Sequence, residues 1–522
     1  MQAFQYGLDT LTPGSAIKLA AGKGKGILSP AIREKIRQNR EIIDSIVHDH
    51  KIVYGINTGF GPLCTTIISE EDTKNLQYNL LLSHSVGVGD PIPADISKLM
   101  LILKAHSLAF GFSGIAEKTL DRILWHIDQE VIPCVPSQGS VGASGDLAPL
   151  AHLFLPLIGM GKVYYQSNIR PAGEILQQFS LSPLDLGPKE GLALINGTQF
   201  IASHAIKFLE AFQNCLDNAD IIAAINLEAM LGSVKTFDDA IHALRPYKGS
   251  RYVAQRMRTL IGSSEIVESH RNCSRVQDPY SLRCIPQVHG ASRNAYLHLK
   301  EMVETEINSV TDNPLIFSKE KTLNGGNFHG QLLALPLDYC AVAAAELGNI
   351  ADRRIYLSLM DTIEGLPKLL MKETGLNSGF MIPQYTTASL VSENKSLCFP
   401  ASADSIPTSL GQEDHVSMGS ISARKALLIT GNLEKIQGIE LFCAAQGFDF
   451  RKPLKSGPLV NACHNHIRSV IPHIDRDVYL ADYIEKAIDL VRQKELTRLT
   501  STMAQSLGID FKNETHELFG IY

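Results

Sequence analysis

Tryptophan occurs once in the 522 residues, at Trp125, and no two of the nine cysteines stand in a CxxC pair. An odd number of widely scattered thiols argues against a disulfide framework and for reduced, buried cysteines in a cytoplasmic protein. Charge of either sign is not in surplus, since 48 basic against 54 acidic residues give a net −6. That leaves no basic footprint for nucleic acid and no polybasic membrane anchor, and it favours small-molecule partners. Apolar runs such as Leu99-Met100-Leu101-Ile102-Leu103 are broken by Lys104 and His106 well before the length of a membrane span. The opening residues, Met1 to Asp9, lack the basic and apolar regions of a secretory signal, so export is not expected. His84, His152, His289, His329 and His415 show no HExxH or paired spacing. The one dense cluster, Cys463-His464-Asn465-His466, is too tight along the chain to converge on one ion, and no metal is expected.

What is present describes a globular protein too long for a single core, with 44% hydrophobic and 20% charged residues. Loops punctuate the first part: Asn57 to Pro62, Gly87 to Pro91, Gly111 to Gly114, Gly139 to Gly145 and Asn196 to Thr198. From about Gln199 long apolar-periodic segments take over, and helices are expected over 201–216, 219–231, 294–310, 337–357 and 423–445. In 337–357, Tyr339, Val342, Ala343, Glu346, Ile350 and Ile355 stand among alanines, a pattern suited to packing on more than one side in a buried bundle core. Strand signals are confined to 51–56 and 161–165. The fold class is mainly α: a long central helical bundle with a smaller, loop-rich mixed N-terminal region. Three segments are expected, 1–198, 199–449, and a C-terminal helical cap at 450–522 that contains a charged amphipathic helix from Asp482 to Arg492.

The run Gly139-Ser140-Val141-Gly142-Ala143-Ser144-Gly145, followed by Asp146, can build an electrophile from the backbone itself. If the chain bends sharply at Ala143-Ser144-Gly145, the Gly145 nitrogen can attack the Ala143 carbonyl. Loss of two waters, one carrying the Ser144 hydroxyl, leaves a methylidene-imidazolone whose exocyclic carbon is an electron sink. Glycine suits the attacking position because a side chain would obstruct the approach. Asp146 is a good N-cap and Pro149 is tolerated in a first turn, so the bend precedes a helix N-terminus, which favours negative charge. A plain Gly-rich loop with a capped helix fits the same residues.

An acceptor of amines needs a base, a cation for the substrate carboxylate, polar groups for the ring, and a side-chain pocket. Tyr54 can remove a proton if its surroundings are positive, or be an aromatic core residue. Gln277, Tyr280 and Arg283 share one Pro-initiated segment in which Arg283 can grip a carboxylate, or form a surface ion pair. Asn196 can hold the ring oxygen or the substrate amine, or merely form an Asn-Gly turn. Glu413, in Gln412-Glu413-Asp414-His415, suits a cationic or imidazole group, and Ser83-His84 follows an apolar stretch as a polar pair at a pocket wall.

Taken together these segments resemble the ammonia-lyases and aminomutases that carry a methylidene-imidazolone, and within that family the histidine-specific branch. The matching pieces lie in order: Tyr54 to Gly61, Ala143-Ser144-Gly145, Asn196-Gly197-Thr198, Gln277 to Arg283, Gly325 to His329, Gly375 to Phe380 and Gln412 to Met418. Ser83-His84 stands where the tyrosine and phenylalanine enzymes have His-Leu or Phe-Leu, and Glu413 where the family places an acid against a substrate imidazole. The resemblance implies a helical subunit in a homotetramer whose sites draw on several subunits. It also implies an L-histidine substrate deaminated to urocanate, and a prosthetic group made from Ala143, Ser144 and Gly145 without external cofactor. Tyr54 is then the base, with Tyr280 a rival for that role; Arg283 holds the carboxylate; Ser83, His84 and Glu413 orient the imidazole; Asn196, Gln277 and Phe328 complete the substrate site. A tyrosine or phenylalanine ammonia-lyase, a 2,3-aminomutase and an inactive helical scaffold are the alternatives.

Replacing Ser144 by Ala is expected to abolish turnover together with the near-ultraviolet absorbance of the conjugated ring, and to restore the mass of two waters in the intact chain. Because the attacking amine must be neutral and the phenol base ionised, kcat/KM is expected to rise from neutral toward alkaline pH. A flat or acid-favouring profile contradicts the assignment.

Overall fold

The structure is a computed structural model that describes residues 3–49, 53, 55, 56, 58, 70–271 and 275–522. Helices open where the local chemistry predicts. Thr12 caps Pro13–Ala20 in a reciprocal box with Ser15, and Ser29 caps Pro30–His48, each followed at once by a proline. The latter helix buries Ile32, Ile36, Ile43 and Ile46 along one face, the stripe expected of an amphipathic helix. Helix accounts for 59% of the structure and strand for 6%, so the chain is mainly α.

Two compact units divide the chain, and neither is continuous in sequence. The first comprises 1–207, 300–338 and 400–424; the second comprises 208–299, 339–399 and 425–522. The expected segments 1–198, 199–449 and 450–522 follow chain order, whereas the unit boundary falls inside four long helices: Gln199–Ala229, Ile285–Glu306, Gln331–Ser358 and Gly419–Asp449.

The first unit holds the strands, all short. Phe4–Gln5 pairs in parallel with Gly26–Ile27, Val88–Pro91 antiparallel with Pro136–Gln138, and Leu315–Ile316 antiparallel with Thr322–Leu323. Lys162–Tyr165 is the middle of a three-stranded sheet, flanked by Ile132–Pro133 and Asn168–Pro171. That strand meets the expectation for 161–165. The strand expected over 51–56 is not found among its described residues: Gly55 has φ +73° and its N–H donates to Thr58 Oγ1 at 3.2 Å, a turn incompatible with extended pairing.

In the second unit, apolar side chains from 208–229, 339–358 and 425–449 form one core with those of the Lys248–Leu260 and Pro458–Val470 helices. The segments 201–216 and 219–231, expected as two helices, form one. The polar break between them is absorbed because Asp217 accepts from Gln213 at 2.5 Å and Arg293 at 2.9 Å, while Asn218 donates to Asn214 at 2.9 Å. A buried charged network continues from there. Asp220 accepts from Arg256 Nε (2.8 Å), Arg293 Nη2 (2.7 Å) and His289 Nδ1 (2.8 Å). His289 Nε2 accepts from Arg354 Nη1 at 3.3 Å, and Arg354 Nε donates to Glu440 at 2.5 Å. Burial lowers the His289 imidazole to about 4, so the ring is neutral and can donate on one side while accepting on the other. Burial alone would raise the Asp220 carboxyl, but Arg293, the His289 hydrogen bond and Arg256 overcome it and hold it well below the usual carboxylate range.

The helix expected over 337–357 starts earlier, at Gln331, and passes Pro336, the sixth residue, whose missing N–H removes the bond that the Leu332 carbonyl would otherwise accept. It is also less buried than a bundle-core reading implies. Ile350 and Ile355 are interior, but Leu332, Leu335, Tyr339, Val342 and Glu346, at alternating spacings of three and four, form an exposed stripe. This helix is long and apolar enough to cross a membrane, yet 61% of that stretch is buried within the protein, as in the core helix of a globular fold. Within the cluster Cys463 to His466, His464 Nε2 lies 3.2 Å from Asp449 and His466 Nε2 lies 2.7 Å from Glu495.

Arg293→Ala, which leaves Asp217 and Asp220 buried with reduced compensation, is expected to cost about 3–5 kcal/mol in denaturant unfolding. Since the folded-state pKa values of His289 and Asp220 both lie below their unfolded values of about 6.5 and 3.9, their stabilisation is full above those values. It is lost as pH falls, so the thermal midpoint is expected to drop in acid from below about pH 6.5. Acid-independent stability between neutrality and about pH 4 contradicts this reading.

Candidate active site

The loop 139–146 is held on both sides by main chain. Gly142 has φ +82°, Ser144 +52° and Gly145 +81°, so the chain reverses at Ala143-Ser144-Gly145. For Ser144 the left-handed conformation costs roughly 1–2 kcal/mol, which the surroundings must repay. A Cβ on Gly145 would lie 2.2 Å from the Gly197 carbonyl oxygen and 2.6 Å from its carbon, so only glycine fits. The two segments touch as a parallel bridge in which Asp146 N–H donates to Gly197 O at 2.7 Å and Gly197 N–H to Ser144 O at 3.4 Å. On the other side Met418 N–H donates to Val141 O at 3.0 Å and Ser420 Oγ to Ser140 O at 2.6 Å.

Asp146 departs from its expected use. It precedes Leu147–Phe154 but makes no cap bond there; its carboxylate instead accepts the Phe200 and Ile201 N–H groups, each at 3.0 Å, at the start of Gln199–Ala229. Ser140 Oγ also donates to it at 3.2 Å. Burial pushes the Asp146 carboxyl up to about 7, and these three hydrogen bonds oppose the rise. The side chain thus fastens the loop to a second helix, because two orphan N–H groups there are within reach and its own helix is eight residues long.

A cavity of about 440 Å³ opens on this loop, lined by Ala143 and Ser144 together with Asn196, Phe328, His329 and Glu413. Asn196 Oδ1 and Glu413 Oε2 are buried there without a hydrogen-bond partner among the described residues. Unpaired buried acceptors carry a desolvation cost that a ligand N–H would relieve. The rings of His329 and His415 stack at 5.7 Å on the same wall, and His329 Nε2 lies 3.3 Å from His415 O. A second cavity, about 360 Å³, lies against Ala143 and Gly145 and is lined by Ser83, His84 and Ser140. Ser83 Oγ and His84 Nδ1 are 3.0 Å apart at the end of Glu70–His84, and burial lowers the His84 pKa, favouring a neutral ring.

Of the residues expected from sequence, Ala143, Ser144, Gly145, Asn196, Phe328, Glu413, Ser83 and His84 therefore gather around one loop. Tyr54 lies outside the described residues. Gln277, Tyr280 and Arg283 belong to the second unit and are not among the described residues lining either cavity. There the Arg283 guanidinium sits 4.6 Å over the Tyr280 ring, Arg283 Nε is buried without a partner among the described residues, and Tyr280 is 71% exposed. Sequence reasoning missed the clamp around the loop: the Gly145–Gly197 bridge, the bonds from Met418 and Ser420, and the true partners of Asp146. One signal was available, a lysine at 104 inside an apolar run, and it marks a buried cation beneath the Asn196 turn.

The geometry fits a backbone-derived electrophile: a bend that brings small residues together, a cradle that admits no Cβ, and an unpaired carboxamide oxygen beside it. Comparison with known proteins agrees. Residues 11–469 match the aromatic amino acid lyase family model. A histidine ammonia-lyase of Natranaerobius thermophilus is 48% identical over 483 residues, 92% of this chain and 94% of that protein. Among solved structures, histidine ammonia-lyase from Trypanosoma cruzi superposes with a TM-score of 0.88 at 39% identity, covering 99% of each chain. A tyrosine aminomutase from Streptomyces globisporus superposes with a TM-score of 0.91 at 32% identity, covering 98% of this chain and 100% of the other. With the loop, its clamp and the match over most of its length all in accord, the chain belongs to the aromatic amino acid lyase family.

Proposed function

We propose that this chain is a histidine ammonia-lyase that converts L-histidine to trans-urocanate and ammonia. The observation that carries the choice of substrate is Glu413, whose buried, unpartnered carboxylate oxygen lines the same cavity as Ala143 and Ser144. A carboxylate suits an imidazole N–H and has nothing to offer a phenyl ring. Ser83 and His84, on the other side of Ala143, supply further polar contacts for the imidazole, and Phe328 supplies an apolar wall.

Ala143, Ser144 and Gly145 would close into a 4-methylidene-imidazol-5-one, an electrophile that accepts the substrate amine and needs no external cofactor. The rest falls to side chains. Asn196 offers its carboxamide to the ring oxygen or the substrate amine. Arg283 pairs with the substrate carboxylate, with Gln277 beside it. A tyrosine oxygen takes the proton from the substrate Cβ; Tyr54 is the preferred base, and Tyr280 the rival. Holding amine, carboxylate and imidazole at once fixes the Cβ–H against the base, and that orientation is where most of the rate is gained.

The proposal includes a homotetramer in the cytoplasm. What supports self-association is the exposed apolar stripe on Gln331–Ser358, where Tyr339 is 53% and Val342 50% exposed; Ile382, Tyr385 and Leu428 are exposed as well. Apolar surface of this extent marks an interface. In such an assembly the exposed Tyr280 and the half-buried Arg283 are available to the cavity of another copy, and each site is composite.

Incubation with L-histidine, L-tyrosine and L-phenylalanine is expected to yield urocanate alone. Coumarate, cinnamate or a β-amino acid as main product would reassign the substrate or the outcome. Glu413→Gln keeps the shape and removes the charge; it is expected to lower kcat/KM for histidine by roughly tenfold to a hundredfold, the worth of a charged hydrogen bond of about 1.5–3 kcal/mol.

A further inference from the structure

The Asn196-Gly197-Thr198 strip against which the loop rests is itself pinned from beneath. Lys104, in the Ala94–Ala109 helix, is 1% exposed, and its Nζ donates to the Asn196 main-chain oxygen at 2.5 Å. Beyond it, Thr198 Oγ1 donates to Glu306 at 2.5 Å, Ala202 N–H to Thr198 O at 2.9 Å, and Gln199 Nε2 to Thr311 Oγ1 at 2.9 Å. Gly197 itself has φ +133°, a backbone conformation that L side chains rarely adopt.

A buried ammonium is a costly way to satisfy one carbonyl. Burial lowers Lys104 to about 7; the carboxylates of Asp312 and Asp146 pull upward while Lys189 pushes further down. Charged or neutral, the amine can donate to the Asn196 oxygen, so its place there invites a further use. The chain of hydrogen bonds supplies one: Lys104 Nζ to Asn196 O, through the Asn196–Gly197 peptide, and Gly197 N–H to Ser144 O at 3.4 Å. A donor bonded to the oxygen of a peptide strengthens that peptide's N–H as a donor in turn.

We propose that Lys104 is a positioning residue for ring formation, holding and polarising the Ser144 carbonyl through the Asn196–Gly197 peptide. The inference rests on the reading that 143–145 cyclise. In that chemistry the Gly145 nitrogen bonds to the Ala143 carbonyl carbon. The carbonyl oxygen leaves as water with the Gly145 and Ser144 N–H protons, giving a C=N bond. The Ser144 Cα proton and hydroxyl leave as the second water, giving the exocyclic C=C bond. Polarising the Ser144 carbonyl acidifies both the Gly145 N–H and the Ser144 Cα–H, the two protons that must depart beside it. The same contact fixes the main chain of Asn196, whose carboxamide lines the cavity.

The test compares intact masses and far-ultraviolet circular dichroism of wild type, Lys104→Met and Lys98→Met. Lys98 is a second buried lysine on the same helix, paired with the exposed Glu130, and does not touch the strip. Wild type and Lys98→Met are expected to be short of two waters throughout. Lys104→Met is expected to keep the folded spectrum while its uncyclised fraction at a fixed time after synthesis rises roughly tenfold or more, as for loss of an oriented reacting segment. Complete cyclisation of Lys104→Met overturns the inference. So does a loss of cyclisation shared by Lys98→Met, or a Lys104→Met chain without the folded spectrum, since either assigns the lysine to general support of the fold. A wild-type chain of full, undehydrated mass would instead defeat the ring itself, and that outcome is read from the wild type alone.

Discussion

Two glycine backbones in contact, Gly145 against Gly197, are the constraint on which the site depends. With no side chain on either, the peptide groups approach closely enough to bridge, and every other feature of the loop follows from keeping them there. Asp146 is drawn away from its own helix to anchor the exit of the bend, Ser140 and Val141 are tied to the 417–420 segment, and the Asn196 turn rests on a buried lysine. The left-handed Ser144 is affordable only because these bonds surround it. A loop so held keeps three small residues in a sharp bend with their peptide groups fixed on both sides.

The second unit handles burial in another way. Its long helices carry not only isoleucine and leucine but Asp217, Asp220, Arg256, Arg293, His289, Arg354 and Glu440 deep in the interior. Such charges stabilise only in company, and each here has at least one opposite or hydrogen-bonding partner. Geometry is strict in such a network, so it fixes the register of one helix on the next more sharply than apolar contact does. Of these helices, Gln199–Ala229 follows Asn196 in the chain and Gly419–Asp449 follows Glu413.

Much of this was legible in the residues. Thr12, Ser29 and the prolines after them announce helix starts; the apolar periods announce the long helices; the Ala-Ser-Gly triplet announces a bend where a side chain would be an obstacle. Other things were not legible. A polar pair at 217–218 reads as a break, and it becomes continuous helix only because Arg293, far along the chain, reaches Asp217. Tyr339 and Val342 read as core, and their exposure depends on which faces the neighbouring helices leave uncovered. Lys104 reads as an interruption of an apolar run, and its use is decided by a carbonyl ninety-two positions away.

The sequence by itself determined the groups available: three small residues in a bend-forming run, an acid, a histidine and an arginine in short polar segments, and helices to carry them. Those properties are local, set by side-chain size, charge and period, and they do not depend on what lies nearby in space. The tertiary structure decided which of these groups share one cavity, that Asp146 serves a helix other than its own, and that a lysine stands under the site. Those are matters of contact between segments distant in the chain, where hydrogen-bond reach and desolvation in the folded protein, and not the order of residues, choose the partner.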